Sequence, residues 1–261
     1  MDAPIGIFDS GIGGTSIWKE ITALLPNENT IYLADSLNAP YGEKSPEEII
    51  EFSIKNTEIL LKRGCKLIVV ACNTATTNAI KILRETYDVP FIGIEPAIKP
   101  AALKTQTNSI GILATKGTLS SALFSETSEL FASNIQVTDR VGKGLVELIE
   151  NGKLHSNDMD ELLKKHLNPM LLNNIDYLVL GCTHYPYLIP QIQKIVGSKV
   201  QIIDSGLAVA KQTQAILEGN QLKNNSVKKG EHHFFINTDV AILESILGDV
   251  HSKFTIQQLN F

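Results

Sequence analysis

The stretch Tyr177-Leu178-Val179-Leu180-Gly181-Cys182-Thr183-His184-Tyr185-Pro186 constrains this chain more than any other. An apolar run enters Gly181, and Pro186 lacks the N–H that a continuing ladder needs, so the pattern predicts a short buried strand ending at a cysteine. Cys182, Thr183 and His184 then stand at a strand's carboxyl end, where open α/β sheets hold their ligands. The first half of the chain holds a near copy. Ile68-Val69-Val70-Ala71-Cys72-Asn73-Thr74 also runs from apolar residues through a small one to a cysteine and two hydrogen-bonding side chains. Two such strands predict two similar βαβ modules, related by a pseudo-twofold axis that turns one thiol toward the other. The expectation is that both sulfurs face one small substrate.

A second repeat accompanies the first. Ile5-Gly6-Ile7-Phe8 reads as a strand, Asp9-Ser10-Gly11-Ile12-Gly13-Gly14 as a turn, and Trp18, Ile21, Leu24 and Leu25 as a helix ending near Pro26. Ser109 to Thr118 restarts that shape. Aligning the Ile-Gly-Ile triplets sets Thr115 opposite Ser10 and Ala114 opposite Asp9. The glycine turn lacks the G-x-G-x-x-G spacing of a dinucleotide site. Its N–H groups suit a docked carboxylate or phosphate, against the plainer reading of a tight turn. Asp9 reads either as a helix cap or as a charged partner for a catalytic group.

Thr30–Ala34 reads as the next strand, and 35–44 as a loop carrying Pro40-Tyr41-Gly42. Ser45-Pro46-Glu47-Glu48 opens a helix to about Arg63, with a cap and a first-turn proline. Its buried stripe is read as Ile49, Ile50, Ile54, Ile59 and Leu60. A helix follows over 75–87, a strand over 89–94, and a proline cluster at 96–100 marks a crossing between lobes. Further helices are expected over 120–132, 145–150, 158–172, 186–196, 207–217 and 240–247, with strands at 135–138, 200–203 and 232–236. Residues 220–230 read as a polar surface loop. Cys65 reads as a packing residue, and His155, His166, His232, His233 and His251 as surface or structural.

With 261 residues, 43% of them hydrophobic, the chain can bury a sizeable core. A formal charge of −5 argues against a nucleic-acid partner. No apolar run approaches the roughly 20 residues that cross a bilayer, and no secretory signal opens the chain, so no membrane partner is expected. Three cysteines do not form a disulfide framework; a reducing cytoplasm fits best and keeps Cys72 and Cys182 as thiols.

Several chemistries compete for those thiols. Zinc needs more ligands than the single Cys182-Thr183-His184 pair, so no metal is expected. A nucleophilic Cys182 with His184 as base leaves Cys72 without a task. Redox pairs sit two residues apart. The remaining scheme has one thiolate remove a proton from carbon while the opposed thiol supplies one to the other face, which inverts a stereocentre. A thiol's reference pKa of about 8.5 can be tuned toward neutrality, and the carbanion-like transition state must be stabilised electrostatically. No PLP or nicotinamide site is evident, so cofactor-free chemistry is expected.

At Asp9-Ser10-Gly11, Pro40-Tyr41-Gly42, Ala71-Cys72-Asn73-Thr74 and Gly181-Cys182-Thr183-His184-Tyr185-Pro186 the sequence resembles the glutamate racemases of the aspartate/glutamate racemase superfamily. The resemblance covers nearly the whole chain. It implies an α/β protein of two pseudo-symmetric, flavodoxin-like lobes with mostly parallel sheets and an active site in the cleft between them. The implied first lobe is discontinuous, 1–96 plus 208–261, and the second is 97–207. It implies cofactor-independent racemisation of glutamate, supplying D-glutamate for peptidoglycan, in an enzyme of a family that often forms homodimers. By that resemblance Cys72 and Cys182 are the acid/base pair, assisted by Asp9 and His184 respectively. Ser10, Tyr41, Gly42, Asn73, Thr74 and Thr183 hold the substrate's carboxylates and ammonium. Glu150 resembles a family acid near the histidine, although Val141-Gly142-Lys143-Gly144 lacks the Cys-Pro often found before it. An aspartate racemase, a related isomerase and a non-catalytic acidic-amino-acid binding protein are the alternatives.

Overall fold

The computed structural model describes residues 2–248 and 254–261, so His251 lies outside the described residues. The first part of the chain forms β1 (Ile5–Asp9), α1 (Thr15–Leu24), β2 (Thr30–Ala34), α2 (Pro46–Lys62), β3 (Leu67–Val70), α3 (Asn73–Thr86) and β4 (Phe91–Gly93). Next come α4 (Ile98–Lys104), β5 (Ser109–Ala114), α5 (Lys116–Leu119), α6 (Ala122–Ala132), β6 (Gln136–Val141), α7 (Leu145–Glu150), α8 (Asn157–Leu172), β7 (Tyr177–Gly181), α9 (Ile189–Val196) and β8 (Gln201–Ile203). The chain closes with α10 (Gly206–Gly219), β9 (His232–Ile236), α11 (Val240–Leu247) and β10 (Phe254–Gln258).

These strands build two parallel sheets, ordered β10-β9-β2-β1-β3-β4 and β6-β5-β7-β8. Renumbered from its own first strand, each contains the order 2-1-3-4. The internal repeat is therefore a repeat of topology. β1 pairs with β3 from Ile5↔Leu67 to Phe8↔Val70, and β5 pairs with β7 from Ile110↔Tyr177 to Ala114↔Gly181. Each cysteine thus follows the strand beside its module's first strand. The expected α/β class and parallel sheets are borne out.

The core follows from those strand sequences. Ile5, Ile7, Leu67, Val69, Leu178 and Leu180 belong to one buried cluster to which both sheets contribute, while Phe8, Ile68 and Val70 pack on the opposite side of the first sheet. Alternation within β1 and β3 sends neighbours to opposite faces, both covered, which is why these strands read as unbroken apolar runs. Burying each such Ile, Leu or Val contributes about 1.5–3 kcal/mol. Cys65 packs as expected, buried beside Gly6.

Local chemistry explains the best-defined boundaries. Ser45 caps α2 in a full capping box, accepting from the Glu48 N–H at 3.2 Å while Glu48 Oε2 accepts from the Ser45 N–H at 2.9 Å. The stripe of α2 differs from the expectation. Ile49 and Leu60 are buried, but Ile50, Ile54 and Ile59 are only partly so. The buried positions between them are Ser53, Asn56 and Thr57, because that face meets the polar surroundings of Tyr41 as well as apolar core. The helix expected over 120–132 is α6, which Ser121 caps by accepting from the Phe124 N–H at 3.2 Å; the short α5 before it was not expected. The C-terminal return brings strands as well as helices: β10 pairs with β9, and β9 with β2. β10 escaped the sequence reading because only Phe254 and Ile256 alternate within it.

Candidate active site

Both sheets direct their carboxyl ends toward one small cavity. Ser10, Pro40, Tyr41, Gly42, Cys72, Asn73, Thr74, Thr115, Val146, Cys182, Thr183 and His184 line it. Nine of the ten residues expected at the site line it. The tenth, Asp9, is fully buried beneath it.

Cys72 occupies the N-cap position of α3. Its Sγ accepts from the Ala75 N–H at 3.4 Å and donates to Ser10 Oγ at 3.6 Å. Burial pushes the thiol well above its ordinary range, and the nearby charges of Asp9 and Cys182 push the same way. The Ala75 and Ser10 hydrogen bonds only partly offset this. Cys72 is thus a protonated thiol in these surroundings. Asp9 makes no hydrogen bond to it among the described residues. Asp9 Oδ2 accepts from the Gly14 N–H at 2.8 Å and Oδ1 from Thr183 Oγ1 at 3.4 Å. Burial raises Asp9 to about 6, against the lowering influence of His184 and Gly14.

Cys182 has a different neighbour. His184 Nδ1 lies 3.7 Å from its Sγ, while His184 Nε2 meets Glu150 Oε1 at 2.5 Å. Burial alone would lower the imidazole. Its contacts with Cys182 and Glu150 outweigh that and hold it well above the usual histidine range. The ring is therefore an imidazolium.

Glu150 is the residue that the glycine-rich turn serves. Its Oε1 also accepts from the Ile12 N–H at 2.8 Å, and its Oε2 from Ser36 Oγ at 2.8 Å. The anion expected at that turn is thus the protein's own, supplied by Glu150 and, at Gly14, by Asp9. A Cβ at Gly11 would collide with Glu150, and one at Gly13 with the His184 ring, so glycine is required here for close approach.

Tyr41 also lines the cavity. Its hydroxyl donates to Asp35 Oδ2 at 2.5 Å and accepts from Asn56 Nδ2 at 3.1 Å. Tyr41 thus lines the cavity with its hydroxyl already engaged by Asp35 and Asn56. Thr74 Oγ1 lies 2.8 Å from Thr115 Oγ1, which is 3.0 Å from Thr118 Oγ1. The sequence reading did not include Thr115 in the site, though the triplet alignment had already set it opposite Ser10. Asn73 is 2% exposed, and among the described residues neither its Nδ2 nor its Oδ1 has a partner. A buried amide left open on both sides costs about 1–3 kcal/mol unless a ligand completes it. No cluster of three or more metal-binding side chains occurs among the described residues.

Opposed cysteines at the ends of matched parallel strands define a class, and comparison with known proteins gives the same one. Residues 5–213 match the Asp/Glu/Hydantoin racemase family, and the chain belongs to it. A glutamate racemase of Herpetosiphon aurantiacus is 45% identical over 92% of this chain and 94% of its own. The crystal structure of a glutamate racemase isoform of Bacillus anthracis superposes with a TM-score of 0.87 at 30% identity, covering 99% of this chain and 98% of that one. That of the Francisella tularensis glutamate racemase, in complex with D-glutamate, gives 0.84 at 31% identity, covering 100% and 97%. The resemblance read from the motifs is borne out.

Proposed function

We propose that this chain interconverts L- and D-glutamate by proton transfer between two thiols, without a cofactor. The observation that carries the reading is the placement of Cys72 and Cys182 on one cavity, each at the end of an equivalent strand and each with its own proton-controlling neighbours. In one direction the Cys182 thiolate, held by the His184 imidazolium, removes the Cα hydrogen, and the Cys72 thiol delivers its proton to the opposite face. Cα then carries the inverted configuration, Cys182 holds the proton taken, and Cys72 is the thiolate. That arrangement is poised for the reverse reaction, with Cys72 as base. The substrate's ammonium favours a Cys72 thiolate that the protein surroundings alone disfavour. Asp9 acts on Cys72 through its charge, and His184, anchored by Glu150, acts on Cys182 through contact. Ser10, Asn73, Thr74, Thr183 and the Tyr41–Gly42 backbone hold the carboxylates and ammonium and supply the dipoles that stabilise a carbanion-like transition state.

The lobes we propose are 1–96 with 208–261, and 97–207. The biological setting that fits is supply of D-glutamate for peptidoglycan in the cytoplasm, with a homodimer as the candidate assembly. Among the described residues no helix is long and apolar enough to cross a membrane.

The deciding measurement is polarimetry of L-glutamate, L-aspartate and L-alanine with purified protein and no added cofactor, with deuterium uptake at Cα followed in D2O. Rotation of glutamate should decay to zero as deuterium enters. Turnover of aspartate alone would reassign the substrate. Glutamate binding without exchange at Cα would reduce the protein to a binding module.

A further inference from the structure

The segment that brings Tyr41 and Gly42 to the cavity has little regular structure to hold it. Between Ala34 and Ser45 the backbone makes only two short 3-10 turns, Ser36–Asn38 and Tyr41–Glu43. Its anchor lies elsewhere, at the end of β9, beyond the residues that match the family. Asn237 is 5% exposed, and its N–H donates to Ala34 O at 3.4 Å. Its Oδ1 accepts from the Leu37 N–H at 2.8 Å, and its Nδ2 donates to Asp35 Oδ1 at 2.5 Å and to Phe261 O at 3.5 Å. Asp35 passes the connection on, taking Asn38 Nδ2 at 2.8 Å on Oδ1 and the Tyr41 hydroxyl at 2.5 Å on Oδ2.

We infer that Asn237 is a positioning residue for substrate binding, fixing the Tyr41–Gly42 backbone through Asp35 without itself reaching the cavity. The chemistry of the chain makes the residue type specific. A backbone N–H on Oδ1 fixes the amide's orientation, which leaves Nδ2 to meet a buried carboxylate. A carboxylate at position 237 would keep the Leu37 contact but face Asp35 with like charge. Asn237 is not among the cavity-lining residues, so its loss bears on how well the Tyr41–Gly42 wall is formed rather than on either thiol. Two side-chain hydrogen bonds link β9 to Tyr41, and a broken buried bond typically changes an equilibrium about five- to hundredfold.

The inference rests on the glutamate reading, so wild-type racemisation is measured first and judges that reading alone. Calorimetric affinity for glutamate then tests the positioning role whether or not the wild type turns over. Asn237→Ala should weaken glutamate binding and raise KM for both enantiomers about tenfold. Its kcat should stay within about threefold and its pH profile should not change. Asn237→Asp should be worse. The exchange Asp35→Asn with Asn237→Asp should recover much of the loss, because the amide and the carboxylate then trade places and the hydrogen bond between them is kept with its direction reversed. If the alanine variant does not fold, Asp35→Asn weakens the same link at its middle and should give the same KM-selective defect. A folded Asn237→Ala with unchanged affinity and KM would overturn the inference. So would loss confined to kcat, or an exchange pair no better than Asn237→Asp alone.

Discussion

Cys72 and Cys182 end equivalent strands, β3 and β7, yet their surroundings are built from different chemistry. Around Cys72 the partners are a backbone N–H and a hydroxyl, with a buried carboxylate acting at a distance. Around Cys182 they are an imidazole and the carboxylate that anchors it. The shared 2-1-3-4 topology puts the two sulfurs in matching places, while the side chains that follow each strand set where the protons rest. A pseudo-symmetric backbone here carries two chemically different thiol surroundings. Such a pair suits a reaction that must run both ways with one thiol charged and the other protonated.

The largest expected effect tests whether the two halves are equally necessary. Cys72→Ser and Cys182→Ser should each lower racemisation by at least about a thousandfold in both directions, since a hydroxyl is far too weak an acid to be the base near pH 7. Chiral chromatography from each pure enantiomer measures this, and near-normal turnover by either variant would end the two-thiol scheme.

The next test asks whether the halves serve opposite enantiomers. His184→Asn should slow removal of the proton that Cys182 takes, and Asp9→Asn removal of the one that Cys72 takes. Each should lose about a hundredfold in one direction's proton abstraction and much less in the other. For Asp9 the reason is that loss of its charge makes Cys72 a stronger acid and a weaker base. Primary isotope effects with Cα-deuterated L- and D-glutamate read the two steps separately. Equal losses in both directions for each variant would dissolve the division.

A third test concerns stability, because the two carboxylates differ in compensation. Asp9 has its folded pKa raised to about 6 from 3.8. Between those values the unfolded chain is ionised and the folded chain is not, so stability falls as pH rises from about 4 to about 6 and is level above. Asp9→Asn should therefore gain on the order of 2–3 kcal/mol at pH 7–8 and nothing near pH 4, as read by urea denaturation. A variant equally stabilised at both pH values would show that burial of the charge is not the cause. The smallest effect expected is at Glu150→Gln. The amide can still accept from the Ile12 N–H, but without the anion the His184 pKa should drop and racemisation fall by about tenfold or less. An NMR titration of His184 would follow that drop.

The sequence reading succeeded where local pattern and local chemistry coincide. Apolar runs ending at Cys72 and Cys182 gave the strand and the thiol's place at its carboxyl end at once, and Ser45 with Glu48 gave a helix start to the residue. It went astray where a partner arrives from far along the chain. Glycines 11 and 13 looked like an anion cradle, and only the fold shows Glu150 and His184 filling it. Tyr41 looked only like a substrate-holding residue, and only the fold shows its hydroxyl bound to Asp35. Asn237 carried no local signal, because an asparagine after a strand is an ordinary strand end.

What the sequence determined by itself was the pair of βα modules and the chemical identity of the groups displayed at their strand ends. Strand periodicity and the turn residues that stop it are properties of a few neighbouring residues, so they can be read in one dimension. Which carboxylate meets which N–H, where the Tyr41 hydroxyl is bound and that Cys72 keeps its proton were decided by the tertiary structure. Those outcomes depend on burial and on charges brought together from distant parts of the chain, and neither exists until the two sheets close on one another.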